Sequence, residues 1–272
     1  MCAADGAVYL YCFARAGMQS QLAGTGVDAC KPVVIEHFAS VSAVVSEVSL
    51  EEFCGAQAEK NLKDLVWLSP RAYQHENVIE QAMQDSPVLP ARFGTIFSSL
   101  AQLNDYAQQH GLAIAQFLDR MAGHEEWAVK GLMQTSCVMS STFVDAQHAH
   151  EEELASLPPG RRYLQEQKMR AEAGKALRSG LKEICRGIEN SLKKVAADFS
   201  RRRVLDKSGM GEDVEVILNW AFLVAGRNLP AFRKEIDRAN CDHAANGLAF
   251  KLTGPWPPYS FAPALSTDDM AS

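Results

Sequence analysis

The sequence predicts an α+β protein of two domains, the second a ferredoxin-like fold with a long, coiled-coil-like helical extension. Three observations carry this. Short β-forming segments recur among helical periods in the first half of the chain. Pro158-Pro159-Gly160 makes a sharp break, because proline cannot continue a helix and restricts its predecessor. Beyond that break the order is long helix, strand, helix, strand, which with a strand at 126–134 fits a β-α-β-β-α-β unit. The expected boundaries are 1–123 for the first domain and 124–253 for the second, with the helical extension at about 142–203 and a Pro/aromatic tail at 254–272.

Val8-Tyr9-Leu10-Tyr11-Cys12-Phe13 is rich in β-formers and short enough for a strand. Gly17, Gly24 and Gly26 mark the loop that follows, and Val33–Phe38 and Val41–Val48 are two further strands. Ser49 precedes Leu50-Glu51-Glu52, which puts a hydroxyl at an N-cap and acids in the first turn of a helix running towards Trp67. Ser69-Pro70 repeats the device and opens a second helix to about Met83. Arg92–Phe97 reads as a strand or strand end. Leu100 to Met121 reads as two short helices broken near Gly111.

In the second half, Trp127, Val129, Gly131 and Met133 alternate along a strand from Glu126 to Gln134. From Arg161 a long helix carries Leu177, Leu181, Ile184, Ile188, Leu192, Val195 and Phe199 at spacings of three and four, an apolar stripe about three heptads long. Gly174, Gly180 and Gly187 weaken it intrinsically, so it needs a packed partner. A short strand is possible near Val204-Leu205. Val214–Val224 has the period of two of a strand, Leu229-Pro230 opens a helix to about Arg238, and Leu248–Leu252 is a final strand. Ser266–Ser272 reads as a frayed end.

Of the 272 residues 47% are hydrophobic, and no run of eighteen apolar residues occurs, so a membrane span is not expected. The opening Met1–Asp5 has no basic or long apolar secretory character, which makes the cytoplasm the expected compartment. Seven scattered cysteines without a C-x-x-C pair read as free thiols. The formal net charge is −6, yet residues 161–203 alone carry +8 and the remainder −14. Arg161, Arg162, Lys168, Arg170, Lys175, Arg178, Lys182 and Arg186 are the cations of the basic helix. Such a segment suits either a nucleic-acid-binding module or a solvated helix face, and the scarcity of stacking aromatics favours the second.

Signatures of chemistry are missing. Gly24-Thr25-Gly26 lacks the third glycine of a dinucleotide fingerprint, and no phosphate-binding loop or nucleophile elbow exists. His75-Glu76 begins like a zinc-protease helix, but Ile79 stands where the second histidine belongs. His148 and His150 beside Glu151-Glu152-Glu153 read as an acidic helix face, and Cys241 and His243 as an ordinary helix end. No catalytic, cofactor or metal residue is expected.

Two segments are unusual in themselves: His75…Pro87-Val88-Leu89-Pro90-Ala91-Arg92-Phe93-Gly94-Thr95-Ile96-Phe97, and Gly254-Pro255-Trp256-Pro257-Pro258-Tyr259-Ser260-Phe261. With Tyr9-Leu10-Tyr11 and Leu218–Val224 they resemble the GvpL/GvpF family of gas vesicle proteins, from near residue 7 to about residue 262. The resemblance implies two α+β domains and a non-enzymatic role in building the gas vesicle. It also implies binding of the hydrophobic shell protein GvpA and other accessory Gvp proteins, in a chaperone-like way that prevents premature aggregation during nucleation. No small-molecule substrate, membrane or nucleic acid is implied as partner. Arg92, Phe93 and Gly94 fall in the first motif, with Gly94 allowing a close backbone approach and Arg92 pairing with an acid at a domain seam. Trp256, Pro257, Pro258, Tyr259 and Phe261 anchor the tail between the domains or touch a partner; the architectural role is the expected one.

Overall fold

Eight consecutive residues, Ala7 to Ala14, are buried, and they form the middle of the first sheet. A computed structural model describes residues 6–20, 22–136, 157–204 and 213–265; the chain divides into one unit of Met1–Glu125 with Trp256–Ser272 and another of Glu126–Pro255. In the first unit β1 (Gly6–Arg15) pairs antiparallel with β3 (Val41–Ser49), and β2 (Val34–His37) adds outside β3. On its other edge β1 meets β4 (Val88–Pro90) and β5 (Ile96–Phe97), giving the order β2-β3-β1-β4 with β5 beside β1. The register slips between Leu10 and Cys12. This bulge turns Ala7, Tyr9, Tyr11, Cys12 and Ala14 into one core cluster despite the odd-to-even switch.

Both faces of β1 are covered, so its sequence is a continuous apolar run with no alternation. Helix α3 (Leu65–Asp85) places Val78, Ile79 and Ala82 against the Tyr9 and Tyr11 face. Helix α4 (Leu100–Met121) lies on the other, where Tyr106 stacks on Phe13 at 6.1 Å and meets Phe97 edge-on at 5.4 Å.

Several sequence expectations shift in this unit. After Ser49 the chain makes only α1 (Leu50–Phe53), then the extended Cys54, then α2 (Gly55–Asn61), and the Ser49 side chain makes no cap hydrogen bond. Asp64, not Ser69, caps α3, its carboxylate accepting the Val66 N–H at 2.9 Å. Pro70 is therefore inside that helix, at an exposed turn where the Val66 carbonyl loses its partner. Of Arg92–Phe97, only Ile96 and Phe97 are strand. Helix α4 is unbroken: Gly111 is buried within it because a Cβ there would collide with the Ser40 hydroxyl, a packing requirement rather than a helix end.

The second unit has the sheet order β7-β8-β6-β9, built from β6 (His124–Gln134), β7 (Asp198–Arg201), β8 (Val214–Ala225) and β9 (Leu248–Trp256). Between β6 and β7 comes α5 (Pro159–Lys193), and between β8 and β9 comes α6 (Leu229–His243). Five residues of the expected stripe lie on this helix: Ile188 and Leu192 are buried, and Leu177, Leu181 and Ile184 pack on a core of Trp127, Leu218, Trp220, Phe222, Phe232 and Phe250 among others, whereas Val195 and Phe199 fall beyond the helix end, Phe199 in β7, and reach the same core from there. α5 stops at Lys193, short of the arm read at about 142–203, and 142–156 of that arm lie outside the described residues. The strand expected near Val204-Leu205 lies instead at β7, which pairs antiparallel with β8 and puts Phe199 4.9 Å from Phe222 and edge-on to Trp220 at 5.9 Å. Leu205 is outside the described residues.

The carboxylate of Glu189 joins α5 to β7. It is buried, and accepts from Lys193 Nζ at 2.5 Å and from Arg201 at 2.7 Å. Burial alone would raise its pKa, but the two cations outweigh it and hold the carboxyl below its ordinary value.

Gly180 and Gly187 lie in the packed half of α5 with nothing within 4 Å of an added Cβ. Gly180→Ala and Gly187→Ala are each expected to stabilise the protein by about 0.5–1 kcal/mol, read as a higher urea midpoint at unchanged m.

Candidate functional site

The two unusual motifs meet at His75. This residue is on the buried face of α3 and is only 1% exposed. Its ring lies among aromatics, 5.6 Å from Tyr9, 5.7 Å from Phe93 and stacked on Tyr11 at 5.7 Å. Nε2 is 3.2 Å from the Ala91 carbonyl and 3.3 Å from the Tyr259 hydroxyl. A carbonyl only accepts, so Nε2 carries the ring hydrogen and Nδ1 accepts. The Tyr9 hydroxyl donates to Nδ1 at 3.0 Å and accepts the Gly94 N–H at 3.0 Å. Tyr259 in turn donates to Glu76 Oε1 at 2.9 Å. The bonded chain is thus Gly94, Tyr9, His75, Tyr259, Glu76, with the Ala91 carbonyl as a branch.

Burial holds the His75 pKa down at about 4, against the opposing pull of the Ala91 carbonyl. The imidazole is therefore neutral at physiological pH, with both nitrogens engaged. Burial likewise pushes the hydroxyls of Tyr9 and Tyr259 and the carboxyl of Glu76 above their ordinary values. A second tyrosine knot lies alongside: the Tyr11 hydroxyl is 2.9 Å from Ser46 Oγ and accepts the Val27 N–H at 2.8 Å. Both ring nitrogens of His75 and the hydroxyls of Tyr9, Tyr11 and Tyr259 are used internally, which describes a structural lock. Among the described residues no group of three His, Cys, Asp or Glu side chains is arranged to hold a metal ion.

The other expected site residues fall around this lock. Gly94 has φ of 82° and open space where a Cβ would go, so the left-handed turn, not a close approach, requires glycine there. Phe93 is half-buried against the first core, and Arg92 is exposed. No acid pairs with Arg92 among the described residues; it borders a groove of about 610 Å³ formed by Leu10, Phe13, Leu89, Tyr106 and the Ala262–Leu265 stretch. Trp256 ends β9 and is 40% exposed, while Pro257, Pro258 and Phe261 are buried.

On α5 the cations Arg161, Arg162, Lys168, Lys175, Arg178, Lys182 and Arg186 are all exposed, and Arg162 pairs with Glu166 at 3.1 Å. The side chain of Arg170 and residues His148 to Glu153 are outside what is described. Cys241 is exposed with a free thiol.

Sequence reasoning missed a third feature. On α3, Val66 (85% exposed), Pro70 and Tyr73 (75%) follow at spacings of four and three, flanked by Leu65 (71%). They form an apolar stripe open to solvent at the start of a helix whose other end is buried. Phe53 against Trp67 at 5.2 Å, Arg71 over the Trp67 ring at 4.3 Å and the Arg71–Glu52 ion pair at 3.2 Å hold that end in place. The period was present in the sequence, but the misplaced helix start at Ser69 hid it.

Comparison with known proteins decides the family. The model of the family described as "Gas vesicle synthesis protein GvpL/GvpF" matches residues 7–263. The chain belongs to the GvpL/GvpF family. Gas vesicle protein L of Streptomyces sp. (strain CB03234) is 27% identical over 239 residues, covering 87% of this chain and 85% of that one. Gas vesicle protein L2 of Halobacterium salinarum is 29% identical over 189 residues, 66% of each chain. The crystal structure of GvpF from Anabaena sp. PCC7120 superposes with a TM-score of 0.67 at 20% identity, covering 96% of this chain and 98% of that one. GvpF from Microcystis aeruginosa gives 0.64 at 16%, covering 94% and 99%. The mixed helix and antiparallel-sheet architecture is thus that of GvpF, and the family places the chain in gas vesicle formation. Among the described residues no helix is long and apolar enough to cross a membrane.

Two outcomes test the lock. Tyr259→Phe is expected to cost about 1–2 kcal/mol in urea unfolding, because Glu76 loses its buried donor. An unfolded histidine titrates near 6.5, and His75 in the fold near 4. Its contribution is complete above pH 6.5 and is lost as pH falls from 6.5 towards 4, by roughly 3 kcal/mol at the limit. Glu76, with its raised pKa, works in the opposite direction as the pH falls. His75→Gln should therefore flatten the stability profile between pH 6.5 and 4 relative to the parent, as read by unfolding at stepped pH.

Proposed function

We propose that this chain is an assembly factor or minor structural component of the gas vesicle that binds the hydrophobic shell protein GvpA and other accessory Gvp proteins. In this reading it works in the cytoplasm at the growing vesicle, without catalysis, and shields GvpA from premature aggregation during nucleation. The exposed apolar stripe of Leu65, Val66, Pro70 and Tyr73 is the observation that carries it. A single-sided apolar helix face suits an apolar client, and a rigid support keeps that face from collapsing onto its own core. The tail motif is architectural in this account, a reading supported by the burial of Pro257, Pro258 and Phe261 and by the bonds from Tyr259. The order β7-β8-β6-β9 with helices after β6 and β8 supports a ferredoxin-like second domain, and α5 serves as its helical extension.

Co-expression with tagged GvpA tests the assignment. The parent chain is expected to co-purify with GvpA, and Leu65→Ser/Val66→Ser/Tyr73→Ser to lose most of that capture while unfolding at the same urea midpoint. Undiminished capture by the triple variant would move the contact off α3, and no capture of the parent would overturn GvpA binding.

A further inference from the structure

α5 carries two stripes, and only one is covered. Leu177, Leu181, Ile184, Ile188 and Leu192 face the core of the second unit. At about 100° per residue, Arg161, Leu164, Lys168, Ala171, Lys175, Arg178 and Lys182 fall together on another line of the same helix. Their spacings are three and four in strict alternation, which repeats every seven residues and is the pattern a second helix reads along a shared seam. All of these residues are exposed, Leu164 at 68%.

The cations Arg161, Lys168, Lys175 and Lys182 form a ladder at seven-residue steps, roughly 10 Å apart along the axis. Arg178, Lys182 and Arg186 also succeed one another at i, i+4, where like charges repel. Among the described residues none of these six makes an ion pair. Among the described residues the row is therefore a line of cations that no ion pair neutralises.

We propose that the Arg161–Lys182 stripe of α5 docks an acidic amphipathic helix of a partner protein, setting its ladder of cations against carboxylates at the same spacing and Leu164 and Ala171 against apolar residues between them. Nucleic acid fits the stripe less well. A duplex carries one phosphate per about 1.7 Å of axis, far denser than this ladder, and the stripe holds no aromatic on which a base could stack. The inference rests on the assembly role above and extends it by naming a partner chemistry for α5; the α3 contact with GvpA is a separate surface.

The test is fluorescence anisotropy of the full chain with two labelled synthetic peptides of about four heptads. One places glutamate at every seventh residue with leucine or alanine three residues on; the other has the same composition scrambled around the helix. An oligonucleotide, single-stranded and duplex, is the third probe. The patterned peptide is expected to bind about tenfold or more tighter than the scrambled one, and to weaken on addition of salt. Lys168→Glu/Lys175→Glu/Lys182→Glu should lose about tenfold or more of that binding with an unchanged far-ultraviolet circular dichroism spectrum, and the milder Lys→Gln triple variant should fall between. Equal binding of the two peptides, tighter binding of the oligonucleotide, or no binding of the patterned peptide would each overturn the proposal, and all three leave GvpA capture through α3 unaffected.

Discussion

The imidazole of His75 has to be neutral and in one tautomer, and much of the first unit is arranged around that requirement. With the hydrogen on Nε2, one side of the ring must face acceptors and the other a donor. Tyr9 therefore turns its hydroxyl to Nδ1, and the turn at Gly94 supplies the N–H that the same hydroxyl accepts. The Ala91 carbonyl fixes the chain leaving β4, and Tyr259 fixes the start of the tail. A largely buried network of this kind specifies one arrangement, because each partner removed leaves another unpaired where that is costly. Residues far apart in sequence are tied to a single ring.

The second unit uses its long helix differently. α5 has three internal glycines and a mean composition rich in charge, so its helicity depends on the stripe packed against β8 and α6 and on Glu189 bridging Lys193 and Arg201 near its end. Burying a carboxylate is costly unless it is well paired, and here both cations sit at the surface, where their own desolvation is small. The apolar half of the helix anchors it, and the charged face is left over for solvent or for another molecule.

Much of this was legible in the sequence, and the failures have physical causes. The strands β1, β3, β6, β8 and β9 and the core stripe of α5 followed from period and β-propensity, because each is long enough for its pattern to dominate. Helix starts were harder. Ser49 and Ser69-Pro70 have the right residues for caps, but Asp64 has the side chain that actually accepts a backbone N–H, and proline is tolerated inside α3 where the turn is exposed. Propensity alone makes Gly111 a break, whereas the buried approach of Ser40 demands it within a continuous helix. For the site, the motifs containing Arg92–Gly94 and Trp256–Phe261 stood out by composition, but their meeting at His75 depends on contacts across more than 180 positions that no local pattern encodes. The exposed apolar face of α3 was hidden for a related reason: periodicity reveals a stripe, and only the packing reveals which stripe is left uncovered; the charged face of α5 was legible because its cations mark it.

The double-sided burial of β1 also bears on how the polypeptide leaves the ribosome. Ala7 to Ala14 emerge before β3, α3, β4, β5 and α4, which pair with them or cover them. Until Met121 has been synthesised, an eight-residue apolar segment with strong strand propensity has no complete native shelter, the circumstance in which nascent chains associate with one another. This gas vesicle protein would thus itself be a client for protection during the first part of its own translation.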